Sequence, residues 1–244
     1  MKKYMTYGIC KYCGEYKQLC SAHIIPKSFY NLKENKKFIS LSDNGTKDLI
    51  TCQNGFKDDN ILCSDCDKKL GIYDKYAKEI LYDKIPKCRK FNTPLFLMTD
   101  EQFDYQKMRF FFISLLWRAS ISQKDACSQI SLGSKYENIA LNILKDNIAD
   151  DDSLFHPFIF KRTPKYKFHN VVVMSKGKYS GQWKSSFTFP GYTVDIITNT
   201  ATIKNQWVVK SLSMNLKEFA VIETDEDVTK IETPILKIIE AIKK

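Results

Sequence analysis

Arginine is nearly missing from this chain. Only Arg89, Arg109, Arg118 and Arg162 stand among its 38 basic residues, so lysine supplies almost all of the positive charge. Histidine is scarcer still, with His23, His156 and His169. No run approaches the roughly 20 apolar residues that a membrane helix needs. The most apolar segment, Phe110 to Trp117, is flanked by Arg109 and Arg118 and reads as a buried helix. The residues from Met1 to Gly14 contain no apolar stretch of signal-peptide length, so the expected setting is the reducing cytoplasm, with no membrane partner. Internal repeats and low-complexity tracts are also missing. What is present is 244 residues with 43% hydrophobic content and mean hydropathy −0.34, enough to bury a real core and to exclude disorder as the default state. The net charge of +10 favours an anionic partner such as nucleic acid. Codon bias also enriches lysine, which halves the weight of that argument.

Seven of the eight cysteines fall before residue 90, in a region whose apolar runs are too short for several independent helices. Leu70, Tyr73, Ala77, Ile80 and Leu81 recur at helical spacing and predict a helix from Cys66 to about Lys84, ahead of Pro86. Thr99 and Gln102 form a capping-box pattern ahead of a long helix to about Ser122, and Ser134 with Glu137 repeats the pattern for a helix through Leu144. After an acidic hinge at Asp150 to Asp152 the texture becomes strand-like. Strands are expected over Phe168–Met174, Gln182–Phe189, Tyr192–Ile197, Ala201–Val209 and Phe219–Glu223. Turn signals at Lys176-Gly177, Pro190-Gly191 and Thr198-Asn199-Thr200 favour antiparallel hairpins. A closing helix follows Thr233-Pro234.

The cysteines become informative through their pairing. Cys10-Lys11-Tyr12-Cys13 and Cys63-Ser64-Asp65-Cys66 are two CxxC units. Each brings two thiolates within reach of one metal, and four such ligands complete a closed tetrahedral Zn²⁺ site. Gly14 follows the first pair as in a zinc knuckle, and Cys66 opens the predicted helix, a treble-clef arrangement. Cys20, Cys52, Cys88 and Cys127 are isolated and read as small buried hydrophobes.

Between the pairs lies His23-Ile24-Ile25-Pro26, and Asp67 follows the second pair. CxxC, a His-Ile-Ile-Pro segment, then CxxC and a carboxylate resembles the zinc-bearing HNH nucleases of the His-Me finger, or ββα-metal, group. The match covers about residues 8 to 80. The resemblance implies that His23 is a general base toward the water that attacks a phosphodiester. It places Asp67 as a ligand of one Mg²⁺ or Mn²⁺ ion, and zinc as scaffold. The chemistry is coherent, since imidazole titrates near neutrality and hard divalent cations prefer carboxylate oxygens. Ala22 departs from the family, which often carries a metal ligand just before the histidine. Asp58, Asp59, Asn60 and Asp65 are the nearby candidates to replace it. Two other readings remain open, a catalytically degenerate zinc module and a structural His23 bonded to a backbone carbonyl. An equal reading of Asp67 is a first-turn acid of the helix.

Lys161, Arg162, Lys165, Lys167, Lys176, Lys178 and Lys184 carry a local charge of +7 with no acidic residue until Asp195, and Tyr166, Phe168, Tyr179 and Trp183 are interleaved. This is a candidate nucleic-acid face or, equally, a solvated strand side. Lys27 and the cluster Lys84, Lys87, Arg89 and Lys90 lie near the nuclease-like third. His156 and His169 read as ordinary core or surface histidines. The expected fold is α+β: an N-terminal treble-clef ββα-metal zinc region (1–90), a helical middle (91–152) and a C-terminal antiparallel sheet with a closing helix (153–244). The expected function is a metal-dependent endonuclease on DNA, with RNA open and a protein activator conceivable, of a kind found in phage, restriction and antiviral defence settings. The rival is a non-catalytic zinc module that binds nucleic acid or a protein.

Overall fold

A computed structural model describes residues 6–30, 38–41, 49–52, 55–90, 94–146, 151, 153–163, 171–179, 181–201 and 218–224; for 38–41, 49–52 and 171 it describes the backbone alone. The N-terminal part holds the short strands β1 (Tyr7–Ile9), β2 (Tyr16–Gln18) and β3 (Ala22–His23), then a 3-10 turn at Lys27–Tyr30. Strands β4 (Phe38–Leu41), β5 (Leu49–Cys52) and β6 (Lys57–Asp58) lead into helix α1 (Ser64–Lys78). That helix runs on as a π segment, Glu79–Lys84, and a 3-10 turn, Ile85–Lys87. Beyond it come β7 (Leu95–Thr99), α2 (Tyr105–Ile121), a 3-10 turn at Asp125–Cys127 and α3 (Gly133–Leu144). Strands β8 (Leu154–Lys161), β9 (Val171–Tyr179), β10 (Gln182–Phe189), β11 (Tyr192–Asn199) and β12 (Glu218–Glu223) complete the described chain. The architecture is mixed α+β. Among the described residues no helix is long and apolar enough to cross a membrane.

The large sheet runs β5-β4-β9-β10-β11-β8-β12-β7. Its pairings are antiparallel except β4 with β9 and β12 with β8, which are parallel. Two of its strands escape the periodic pattern. In β8 the run from Phe155 to Phe160 is buried throughout, so it shows no alternation, and Pro157 argues against a strand. The proline is tolerated because β12 joins only from Phe160 onward. β7 adds the edge beyond β12, in a stretch expected to be helical or connecting.

The turn between β9 and β10 also lies elsewhere than Lys176-Gly177. Gly177 is inside β9, opposite Lys184, and a Cβ there would stand 3.2 Å from Lys184 Cε. That glycine makes room for a buried lysine, whose Nζ pairs with Asp195 at 2.8 Å. The chain reverses at Gly181, which has φ +83°. Pro190-Gly191 does link β10 to β11 as expected, with Phe189 opposite Tyr192. The expected strand at Ala201–Val209 and the helix after Thr233-Pro234 lie outside the described residues, apart from Ala201, which stands in a turn.

Helix α2 is the axle of the molecule. Every residue from Met108 to Ala119 is buried, the signature of a helix wrapped on all sides. Its N-cap is Asp104, which accepts from the Lys107 amide at 3.0 Å. Thr99 and Gln102 do interact, the Thr99 amide donating to Gln102 Oε1 at 3.0 Å, but they close the turn ahead of the helix. In α3, Glu137 accepts from Ser120 of α2 at 2.6 Å instead of serving a capping box. Phe29 links the N-terminal part to this axle, stacking on Phe111 at 5.4 Å and meeting Phe189 of the sheet edge-on at 5.1 Å. Tyr12 does the same with Trp117 at 6.1 Å and donates to the Leu144 carbonyl at 2.8 Å.

The scarce arginines now have an explanation. Arg109, Arg118 and Arg162 are 1%, 1% and 3% exposed. Arg109 donates to the carbonyls of Phe155 (2.7 Å) and Asp151 (3.0 Å), and to that of Leu154. Arg162 donates to Thr193 Oγ1 at 3.2 Å and to the Thr224 carbonyl at 3.3 Å. A rigid fork of five donors suits this clamping of backbone far better than a flexible ammonium does.

Candidate functional site

The first CxxC sits at the tip of the β1–β2 hairpin. Cys10 and Glu15 close it, with the Cys10 amide donating to the Glu15 carbonyl at 2.9 Å, and Gly14 adopts φ +82°, where a side chain would be strained. The hairpin is stitched to the second pair by Lys11 N–H to the Ile61 carbonyl (2.8 Å) and Cys20 N–H to the Leu62 carbonyl (2.9 Å). Cys63 is the N-cap of α1 with no side-chain capping bond, because its thiol turns toward the cluster, and Cys66 follows in the first turn. The sulfurs of Cys10, Cys13, Cys63 and Cys66 all lie within 4.8 Å of one another. Tetrahedral Zn–S bonds of about 2.3 Å separate sulfurs by about 3.8 Å, so the cluster is of the size for one ion such as zinc.

Burial raises the Cys10 thiol, but N–H donors from Cys13, Cys63 and Tyr12 outweigh it and hold the group at about 7. The Cys63 amide is one of these donors, 3.3 Å from Cys10 Sγ. Burial pushes Cys13 and Cys66 upward. The seven described cysteines are free thiols, and Cys127 is buried as expected while Cys20 and Cys88 are half-buried. Cys20 is pushed up to about 11 by burial and stands outside the four-sulfur cluster.

After the β1–β2 hairpin, β3 pairs with β6 in register Ala22↔Asp58 and His23↔Lys57. The second pair and α1 follow β6, so strand, strand and helix form one unit beside the sulfur cluster. His23 and Asp67 open into the same cavity, of about 310 Å³, with Lys27, Asp74, Lys75, Lys78 and Arg118. Two carboxylates thus face four cations, an excess that favours an anionic ligand. Gly71, also on its wall, faces open space, and a Cβ there would meet nothing within 4 Å.

Arg118 organises this cavity. Its guanidinium grips Asp74 in a bidentate pair at 2.7 and 3.0 Å and donates to the His23 carbonyl at 2.9 Å. Burial raises the Asp67 carboxyl, the Arg118 charge opposes that, and Asp74 adds to it. Neither chain distance nor periodicity links Arg118 to His23, so no sequence signal finds it. Asp74, Lys75 and Lys78 were legible in principle, since they fall seven, eight and eleven residues after Asp67, along one helix face.

The four residues considered as replacements for Ala22 do not line this cavity among its described walls. Asp58 is buried and accepts from the Asn60 amide (2.9 Å) and Ser122 Oγ (2.7 Å). Asp59 and Asp65 line a separate cavity of about 800 Å³ beside Lys17, Cys20 and Ser64. No family model, curated protein or solved structure matches this chain.

Of the basic residues singled out in the sequence, Lys27 is exposed on the His23 cavity. Lys84 pairs with Glu79 at 3.0 Å, and Lys87 is exposed. Arg89 and Lys161 converge on Glu223, Lys161 at 3.2 Å. Arg162 is interior, so its donors serve the fold. Lys165 and Lys167, like His169, lie outside the described residues. His156 is buried beside Phe158, ring centroids 5.5 Å apart, as a core histidine.

Proposed function

We propose that the protein is a metal-dependent, HNH-like endonuclease that hydrolyses DNA phosphodiester bonds. The observation that carries this reading is the meeting of His23 and Asp67 in one cation-rich cavity on a strand-strand-helix unit beside four clustered cysteines. In this reading Cys10, Cys13, Cys63 and Cys66 hold structural zinc, which sets the angle between the hairpin and α1. His23 takes a proton from the attacking water. Lys27, Lys75 and Lys78 hold the phosphates flanking the scissile bond, and Arg118 fixes the His23 backbone. Asp67 would hold Mg²⁺ or Mn²⁺, which uses one or two carboxylates together with water and substrate oxygens. When bound, such an ion would supply Lewis-acid charge stabilisation to the phosphodiester.

Plasmid incubated with the protein and Mg²⁺ or Mn²⁺ is expected to be nicked or linearised. His23→Ala should abolish cutting with zinc content and fold unchanged, and Asp67→Asn should weaken the response to the divalent ion. Cutting that survives His23→Ala sinks the mechanism. An RNA substrate cut in preference to DNA would redirect the substrate assignment.

A specific arrangement favours the rival, a degenerate zinc module. Ala22 has no side-chain ligand atom, both Asp58 oxygens are engaged, and Asp74 is neutralised by Arg118, which leaves Asp67 as the one uncommitted carboxylate among the described walls. Nucleic-acid binding without cutting under any divalent ion, with or without a protein activator, would establish that reading.

A further inference from the structure

Trp183 stands at the end of β10 where the core face of the sheet runs out. On the same face and strand, Phe187 and Phe189 are 0% and 1% exposed, whereas Trp183 is 50% exposed. The register places Lys178 directly across from Trp183, and Lys176 across from Ser185, so both lysines share its face. Their ammoniums lie 4.4 Å (Lys176) and 4.6 Å (Lys178) from the indole centroid. Lys176 is further tied to the Ser131 carbonyl at 3.3 Å, and its amide to Gln129 Oε1 at 3.4 Å. β9 and β10 together contain no carboxylate.

We propose that Trp183, Lys176 and Lys178 form a stacking site for an unpaired base of single-stranded nucleic acid, distinct from the His23 cavity. An exposed indole offers a flat π-face that every base can stack on, and its two lysines hold it in place through cation–π contact. A base entering on the ring displaces an ammonium toward the phosphates on either side of the stacked nucleotide, which keeps both charges neutralised. An apolar partner would desolvate both ammoniums and supply no counter-charge, so a polyanion with aromatic faces is the complementary ligand. The assignment shares no residue with the cleavage reading and stands or falls apart from it.

The test uses full-length protein in the His23→Ala background without added divalent ions, titrated into a fluorescently labelled oligo(dT) and followed by anisotropy. Trp183→Ala should weaken binding roughly tenfold or more, the scale of one lost base–aromatic stack. Trp183→Phe, which keeps a ring, should retain most of the affinity. Lys176→Gln with Lys178→Gln should lower the slope of log K against log salt by about 1.4, two phosphates at about 0.7 each. Unchanged affinity in Trp183→Ala overturns the proposal. So does an equal loss for a blunt duplex of the same length, because that ring would be responding to charge and not to an unpaired base. Loss of cutting in the plasmid assay leaves all these outcomes unaffected.

Discussion

Around the four thiols, strands of two or three residues meet with almost no ladder of their own; beyond residue 95 the strands run from five to nine residues and bury phenylalanine on both faces. A two-residue pairing such as Ala22–His23 with Lys57–Asp58 is too short to persist alone. The N-terminal hairpins therefore depend on the cysteine cluster and on the docking of Tyr12 and Phe29 against α2. The sheet depends on apolar burial, with Phe155, Phe158, Phe160, Phe187 and Phe219 each 0% exposed. The short pairings around the thiols and the long strands of the sheet thus rest on different supports, and Phe29 and Tyr12 tie the first to α2.

The sharpest way to break this contrast is to disable the four-cysteine cluster, which could hold an ion such as zinc. Ion binding at such sites contributes about 10–16 kcal/mol in small zinc peptides, so Cys63→Ser with Cys66→Ser, or a chelator, should unravel the hairpins. Hydrogen exchange should show Cys10, Cys20 and Ile24 amides losing protection while those of β10 and β11 keep it. Acid should act in the same direction, because the thiolates must protonate to release the ion. Equal loss of protection in the sheet would make the two regions one cooperative unit.

Phe111→Ala tests the joint. The ring is fully buried between Phe29 and Phe112, and its loss should cost about 3–5 kcal/mol in urea unfolding, lowering both regions together. Arg118→Ala removes one member of a buried pair and should fall at the lower end of about 3–5 kcal/mol, since Asp74 keeps 14% side-chain exposure. Arg118→Lys should rescue little, because an ammonium cannot reproduce the bidentate grip. The smallest change is Gly71→Ala. It should raise the melting temperature through a gain of up to about 1 kcal/mol in helix propensity, as its methyl meets only open space. If that variant also blocks divalent-dependent cutting, the cavity wall is where substrate sits.

Legibility in the sequence follows the range of the physics. The helical stripe Leu70, Ala77, Ile80 and Leu81 is buried as its period implies, and the helix continues through the π segment to the region before Pro86. Lys176-Gly177 misled because glycine's second use, leaving space for a cross-strand neighbour, has the same appearance in sequence as a turn. β8 misled because a strand covered on both faces loses the alternation that identifies one. The basic tract from Lys161 shows its charge and its interleaved aromatics in the sequence, but neither says that Arg162 and Lys184 point inward while Lys176 and Lys178 gather at Trp183.

By itself, then, the sequence determined the four clustered cysteines, the α+β class and helices α1, α2 and α3, because CxxC spacing and helical period are local and a handful of residues carries each. Only the tertiary structure decided that His23 and Asp67 share a cavity and that Arg118 clamps it across 95 residues of chain. It also decided that three of the four arginines are internal fasteners. Those facts depend on which distant segments pack together, and the free energy of that packing is spread over the whole core, so no single stretch of chain records it.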